Sequence, residues 1–242
     1  MILEVDAGNT RVKWRMVDPS GCIVKRGADT SFDEETLREL VAAQPLRARI
    51  GSVRSSEWGA RISLLMQKQF CVEPEFVVST SEREGVINGY LVPEKLGVDR
   101  WLAMLAARRR RPAEALLVVD CGSAVTLDFI STEGLHLGGY IVPGIGLQLE
   151  SLSRGTTLPG YNKPAWHECS PGRDTEAAVT KGILRMLSAW VIEEARSNFE
   201  GKAKVVITGG DGLGLATNLG RHGLDHEYIE DLVLDGLQVA LP

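Results

Sequence analysis

The chain has 242 residues, 44% of them apolar and 24% charged, which suits one large or two small globular domains and excludes a disordered chain. The 27 basic and 32 acidic residues leave a formal charge of −5, which disfavours a nucleic-acid partner. Four cysteines, Cys22, Cys71, Cys121 and Cys169, include no CxxC pair, so neither a zinc ribbon nor a thioredoxin-type redox pair is indicated. The opening residues carry no basic leader before an apolar segment. The longest near-apolar run, residues 101–107, falls far below the roughly 20 residues that span a bilayer. A cytoplasmic protein with no membrane partner is expected.

In chain order, Leu3-Glu4-Val5 leads into Asp6-Ala7-Gly8-Asn9-Thr10, and residues 11–17 and 22–26 predict two more strands around the turn Pro19-Ser20-Gly21. Ser31-Phe32-Asp33-Glu34 is a capping-box signal for a helix over 36–43 that stops ahead of Pro45. Residues 49–53 and 74–78 predict buried strands, and 57–70 a helix with Trp58, Ile62, Leu65 and Met66 at helical spacing. A further helix ends at Arg108–Arg111, before Pro112, where positive charge complements the dipole. Within it, Trp101, Leu102 and Leu105 read as a core face or a dimer contact.

About 114 residues after the opening motif, Val118-Val119-Asp120-Cys121-Gly122-Ser123-Ala124 repeats its form, and strands over 125–130 and 135–142 follow it. A long amphipathic helix over 174–199 sets Ile183, Met186, Leu187, Trp190 and Val191 on one side. Residues 204–207 predict a strand, 212–218 a short helix, and 229–233 a last strand before a terminal helix. This alternation predicts an α/β fold of two related halves, each of βββαβα order, divided into residues 1–112 and 113–242.

Three glycine turns carry the chemistry. In the first, Gly8 lets the chain turn after a strand and present backbone N–H groups to an anion. Asn9 and Thr10 add donors, Asp6 could hold Mg²⁺ directly or through water, and Lys13 could reach a β- or γ-phosphate. An ordinary β-hairpin would use the same turn residues, but it would not require the same preceding Asp at position 120. In the third turn, Thr208-Gly209-Gly210-Asp211, an adenosine could lie against glycine backbone. Neither GxGxxG nor GxxxxGK[ST] occurs, against a Rossmann fingerprint or a P-loop. His222 and His226 lack a completing ligand pair for zinc, and Cys121 reads as a small filler residue.

Turns in this order resemble the sugar kinase, heat-shock protein and actin superfamily. That resemblance implies a duplicated ribonuclease-H-like, actin-like ATPase fold with ATP in the cleft between the halves. Asn88-Gly89-Tyr90, Gly97-Val98-Asp99-Arg100 and the run Gly138-Gly139-Tyr140-Ile141-Val142-Pro143-Gly144 narrow it further. With the two Asp-x-Gly turns, they look like a type III pantothenate kinase. The resemblance implies ATP-dependent phosphorylation of pantothenate to 4'-phosphopantothenate, the first step of coenzyme A biosynthesis. It implies a homodimer whose active site borders the interface.

Carried over residue by residue, the resemblance makes Asp99 the general base. Tyr90, Gly97, Val98, Asp99 and Arg100 would bind pantothenate, as would Thr175, donated across the dimer. ATP is expected on Asp6, Ala7, Gly8, Asn9, Thr10, Arg11, Val12 and Lys13, and on Ser123, Gly209 and Gly210, together with Mg²⁺. Asp120 is expected to ligand a monovalent cation, K⁺ or NH₄⁺. Ser123 stands where the family usually has Thr, and the hydroxyl is kept. By themselves, Asp99-Arg100 also read as an exposed helix start, Tyr90 as half-buried packing and Thr175 as a helix N-cap. Two other functions remain open on the sequence: an accessory protein of the same fold, which intact Asp6, Asp99 and Asp120 disfavour, and a kinase for another small hydroxylated metabolite.

Overall fold

The computed structural model describes residues 1–163, 166 and 170–242, and Cys169 lies outside the described residues. They divide into two compact units, the first made of residues 1–84, 90–109 and 232–242, the second of 85–89 and 110–231. The chain runs β1 (Ile2–Ala7), β2 (Val12–Val17), β3 (Ile23–Asp29), α1 (Glu34–Glu39), β4 (Arg47–Ser52), α2 (Ser56–Phe70), β5 (Glu75–Phe76) and β6 (Glu82–Arg83). After β7 (Val86–Ile87) and α3 (Val98–Arg110) come β8 (Leu116–Cys121), β9 (Ala124–Ile130), β10 (His136–Pro143), α4 (Ile145–Gly155) and α5 (Thr175–Ser197). Then follow β11 (Lys204–Thr208), α6 (Gly212–Arg221), β12 (His226–Tyr228) and α7 (Leu232–Ala240).

The first sheet has the order β3-β2-β1-β4-β5, and the second the order β10-β9-β8-β11-β12. In each, three strands form an antiparallel meander and two more join in parallel through helical crossovers. The two sheets therefore share one topology, as the repeat predicts. A single break at residue 112 does not describe the division. The C-terminal helix α7 packs with the first unit, because Leu232, Leu234 and Leu237 are buried and Gly236 meets the backbone of α3.

Strand β1 is buried on both faces. Leu3, Val5 and Ala7 join Leu37, Ile62 and Met66 of α1 and α2 in one apolar cluster. Side chains alternate along a strand, so Glu4 and Asp6 share the other face. There Glu4 sits opposite Arg15 in β2 and Arg49 in β4. Its carboxylate accepts from Arg15 Nε at 2.7 Å and from Arg49 Nη1 at 2.9 Å. Arg15 Nη1 also donates to Asp235 of α7 at 2.8 Å. Burial acts to lower the Arg15 pKa, but the Glu4 charge and the hydrogen bonds from Asp235 and Glu4 outweigh it and hold the guanidinium above its ordinary value. In the second unit, Leu117, Val119 and Cys121 of β8 pack with Leu149, Leu187 and Leu215 of α4 to α6.

Several elements differ from expectation for local reasons. The cap of α1 is Asp33, not Ser31: its carboxylate accepts from Glu35 N and Thr36 N, and Ser31 Oγ donates to it. The Ser31 hydroxyl and those N–H groups hold Asp33 below the usual carboxylate range. The strand expected over 74–78 shrinks to β5, since only Arg49 and Ile50 offer it partners. The strand expected over 229–233 lies earlier, as β12, and Leu232 already starts α7. On α5 the buried stripe follows Ile183, Leu184, Leu187 and Val191, leaving Met186 54% exposed. Helix α4 has no counterpart among the expected elements.

Removing the Glu4 carboxylate takes its anion from buried Arg49 and one of two from buried Arg15, which keeps its bond to Asp235. Glu4→Ala is expected to lower unfolding free energy by about 3–5 kcal/mol, read from urea denaturation. A loss below about 1 kcal/mol, the range of exposed pairs, would contradict this account.

Candidate functional site

In the first unit, β1 ends at Ala7 and β2 begins at Val12, so residues 8–11 form the turn between them. Asn9, Thr10 and Arg11 are exposed, and half-buried Asp6 and Lys13 face each other in register at its base. Ala7 and Val12 are fully buried, so they can offer a nucleotide only their backbone. The turn is pinned from outside: Arg54 Nε donates to Gly8 O at 2.8 Å, and Val53 N donates to Ala7 O. Sequence reasoning did not single out Arg54. The signal available was its place just past β4, whose Ser52 pairs with Ala7.

The same unit assembles Tyr90, Gly97, Asp99 and Arg100. Arg100 is 5% exposed, its Nη1 donates to the Tyr90 hydroxyl at 2.6 Å, and its guanidinium carbon lies 5.5 Å from the ring centroid. Asp99, half-buried in the first turn of α3, accepts at Oδ1 from Arg100 N at 2.8 Å. A Cβ on Gly97 would stand 2.7 Å from that same oxygen, so glycine keeps space open at the carboxylate. Val98 turns its Cγ1 towards Gly51 of β4 and seats the helix. It also borders a hollow of about 390 Å³ with Ser52, Arg54, Ser55 and Phe76.

In the second unit, Asp120 lies half-buried near the end of β8, and exposed Ser123 occupies the turn that follows. Ser123 O accepts from Gly144 N at 2.9 Å, which brings the start of α4 to this turn. Gly209, with φ +92°, ends β11 in a conformation that side chains rarely adopt. A Cβ there would run into Asp120 Oδ1 and the Cys121 carbonyl. Asp211 N donates to Cys121 O at 2.9 Å, so Asp120, Gly209 and Gly210 belong to one cluster of turns. Lys163, another residue that sequence reasoning passed over, donates to Asp211 Oδ2 at 2.7 Å. It lies in a stretch without helix or strand, where no periodic signal marks it. Thr175 is exposed at the first position of α5, and the cap is Asp174, which accepts from Ala177 N at 2.8 Å.

Among the described residues, no group of three or more His, Cys, Asp or Glu side chains could hold a metal ion. Asp6 and Asp120 each offer one carboxylate near the end of a strand, beside a turn. A lone carboxylate suits Mg²⁺, which keeps several waters and takes the rest of its shell from phosphate oxygens. A Cβ on Gly209 would meet both Asp120 Oδ1 and Cys121 O, so these two oxygens lie close together, and hard oxygen donors of this kind suit an alkali cation. Burial first, and then the charges of Asp120 and Asp211, push the Cys121 thiol far up, so it stays protonated as a packing group. Of the arginines ahead of Pro112, Arg108 is buried, Arg111 pairs with Glu227 and Glu114, and Arg109 and Arg110 are exposed. No helix among the described residues is long and apolar enough to cross a membrane.

Two sheets of one topology, each with an Asp-bearing turn after its first strand, define an actin-like ATPase fold of the duplicated ribonuclease-H-like class. Among solved structures, a candidate 2-dehydro-3-deoxygalactonokinase from Sinorhizobium meliloti shares this fold, at a TM-score of 0.66 and 14% identity over 99% of this chain and 98% of that one. The family model for type III pantothenate kinase matches residues 2–196. The type III pantothenate kinase of Ectopseudomonas mendocina is 39% identical over 254 aligned positions, covering 100% of this chain and 99% of its own. That of Alcanivorax borkumensis is 37% identical, covering 98% and 97%. The chain belongs to the type III pantothenate kinase family.

Two glycines in the same turn are expected to respond differently. Gly209→Ala carries a strained φ and a steric conflict and should cost about 1–3 kcal/mol. Gly210→Ala, with nothing within 4 Å of the added carbon, should stay within about 0.5 kcal/mol. Thermal unfolding of both variants checks this pair. The cysteines give a second check: iodoacetamide at mildly alkaline pH should label exposed Cys22 and Cys71 and leave Cys121 unmodified until the protein unfolds. Prompt labelling of Cys121 in folded protein would contradict its buried, protonated state.

Proposed function

We propose that the chain transfers the γ-phosphoryl group of ATP to the primary hydroxyl of pantothenate, giving 4'-phosphopantothenate and ADP, the first step of coenzyme A biosynthesis. The observation that carries the residue assignment is the Gly97–Arg100 arrangement. A half-buried carboxylate stands at the start of a buried helix, with space kept open beside it and a cation locked to a tyrosine one residue on. Asp99 accepts the acceptor's hydroxyl proton as the new O–P bond forms and the bond to ADP breaks. A carboxylate is a weak base, which is adequate because the transition state is loose and positioning matters more than proton affinity. Arg100 and Tyr90 orient the acceptor, and the backbone at Gly97 lets it approach.

On the nucleotide side, the backbone N–H groups of residues 8–11 and the Lys13 ammonium meet phosphate charge, with Ser123 contributing its hydroxyl. Gly209 and Gly210 offer flat backbone for the adenosine. Asp6 would hold Mg²⁺, directly or through water, and the ion would supply charge neutralisation at the transferring phosphoryl group. Asp120 and the Cys121 carbonyl are the donors we assign to a monovalent cation, K⁺ or NH₄⁺. The functional form is a homodimer in which exposed Thr175 reaches the partner's acceptor site. Exposed Tyr140, Ile141, Leu147 and Met186, all in the second unit, support an interface on that unit.

The test is ADP release by purified protein with ATP, Mg²⁺ and K⁺, with and without pantothenate. Asp99→Asn should keep its fold and ATP affinity while turnover falls by at least about 10²-fold. Asp120→Asn should lose stimulation by K⁺ over Na⁺. Full turnover in Asp99→Asn would remove that residue from the mechanism, and release that ignores pantothenate would point to another acceptor.

A further inference from the structure

The face of the first sheet that carries Asp6 also carries a second constellation that the phosphotransfer reading leaves unused. Strand alternation places Glu4, Arg15 and Arg49 one residue pair below Asp6, Lys13 and Gly51, with each trio in register across β1, β2 and β4. Helix α3 rests on this face at Gly51: a Cβ there would stand 2.6 Å from Leu102 Cδ1 and 3.6 Å from Val98 Cγ1. Val98 and Leu102 flank Asp99 on the helix. Helix α7 then presses on α3 from its own side. A Cβ on Gly236 would meet the Leu102 carbonyl, with its carbon at 2.6 Å and its Cα at 2.8 Å, and Leu237 Cδ2 lies 3.6 Å from the Cβ position of Gly51. Asp235, beside Gly236, is the residue that ties α7 to Arg15 at 2.8 Å and so to Glu4.

We infer that Asp235 is a positioning residue for phosphoryl transfer: through Arg15 and Glu4 it fixes α7 on the sheet, and α7 fixes the height of α3 and hence of the Asp99 carboxylate. This rests on Asp99 being the base. The contact of α7 with α3 at Gly236 is backbone against backbone, which leaves no flexible side chain there to absorb a shift. A movement of α7 is therefore passed to α3 rather than lost between them. Asp235 is 25% exposed on its side chain, unlike Glu4 at 0%, so it can be neutralised without burying an orphaned charge on its own side. It touches neither acceptor nor nucleotide in this reading.

The experiment compares wild type, Asp99→Asn, Asp235→Asn and the double variant, each confirmed folded by circular dichroism and by ATP titration. Asp235→Asn is expected to bind ATP as wild type does, to keep KM for ATP, and to lose about 10- to 100-fold in kcat for pantothenate, the scale of a small misplacement of a reacting group. In the Asp99→Asn background the same change should cost nothing further, because the group it positions is already gone. Gly236→Ala, which pushes on Leu102 directly, should reproduce the kcat loss without touching any charge. A folded Asp235→Asn with wild-type kcat overturns the inference, as does an equal loss in both backgrounds, which would be the mark of a general structural role. Full activity in Asp99→Asn alone would instead show that the base assignment is at fault.

Discussion

Glu4 holds two guanidinium groups inside the first unit, and the strand pairing around it depends on that one carboxylate. Taking three ionised groups out of water costs several kcal/mol for each, and their attraction repays this only when the geometry is good. Here one oxygen meets Arg15 and the other meets Arg49. The arrangement is therefore stringent rather than simply stabilising. A slip of β1 by one residue would turn Leu3 and Val5 to the charged face and set Glu4 among Leu37, Ile62 and Met66. The register that satisfies Glu4 is the one that sets Asp6 opposite Lys13, so structural and chemical requirements on β1 coincide.

The second unit repeats the topology without repeating this device. Asp120 corresponds to Asp6 in the repeated motif, and two residues earlier Val118, 2% exposed, stands where the first unit has Glu4. Its sheet is fixed by apolar packing and by the bonds among its turns instead. Duplication has thus kept the strand order and the Asp-bearing turn while the interior beneath them was rebuilt. The turns lie at strand ends, where backbone hydrogen bonds define their form, and the interior is free to change so long as it fills the same space.

What could be seen in the sequence was local. The repeat of Asp-x-Gly after a strand announced two related halves because turn chemistry and β-branched runs act over a few residues. The cluster of Tyr90, Gly97, Asp99 and Arg100 was legible only through resemblance, since eight residues separate Tyr90 from Asp99 and no periodicity links them. The charged trio on β1, β2 and β4 was invisible for the opposite reason. Glu4, Arg15 and Arg49 belong to three distant segments, and each looks like an ordinary solvated residue until the strands are paired. Arg54 and Lys163 act on backbone and side chains that lie next to them only in the fold. At helix ends the competition was finer: Asp33 displaced Ser31 as the cap because its carboxylate can accept two N–H groups at once.

Helix α7 comes last in the chain yet belongs to the unit whose first strand begins at Ile2. Arg47 Nη1 even donates to the Pro242 carbonyl at 2.7 Å. During synthesis the second unit, drawn almost wholly from residues 110–231, has its segments together before α7 emerges. The first unit has to wait for α7 with part of one sheet face uncovered, and that face carries Glu4, Arg15 and Arg49. Charged groups left in water during this wait remain solvated, whereas an apolar face would invite other chains to cover it. The same residues that demand burial in the finished protein are ones that water can solvate until α7 arrives.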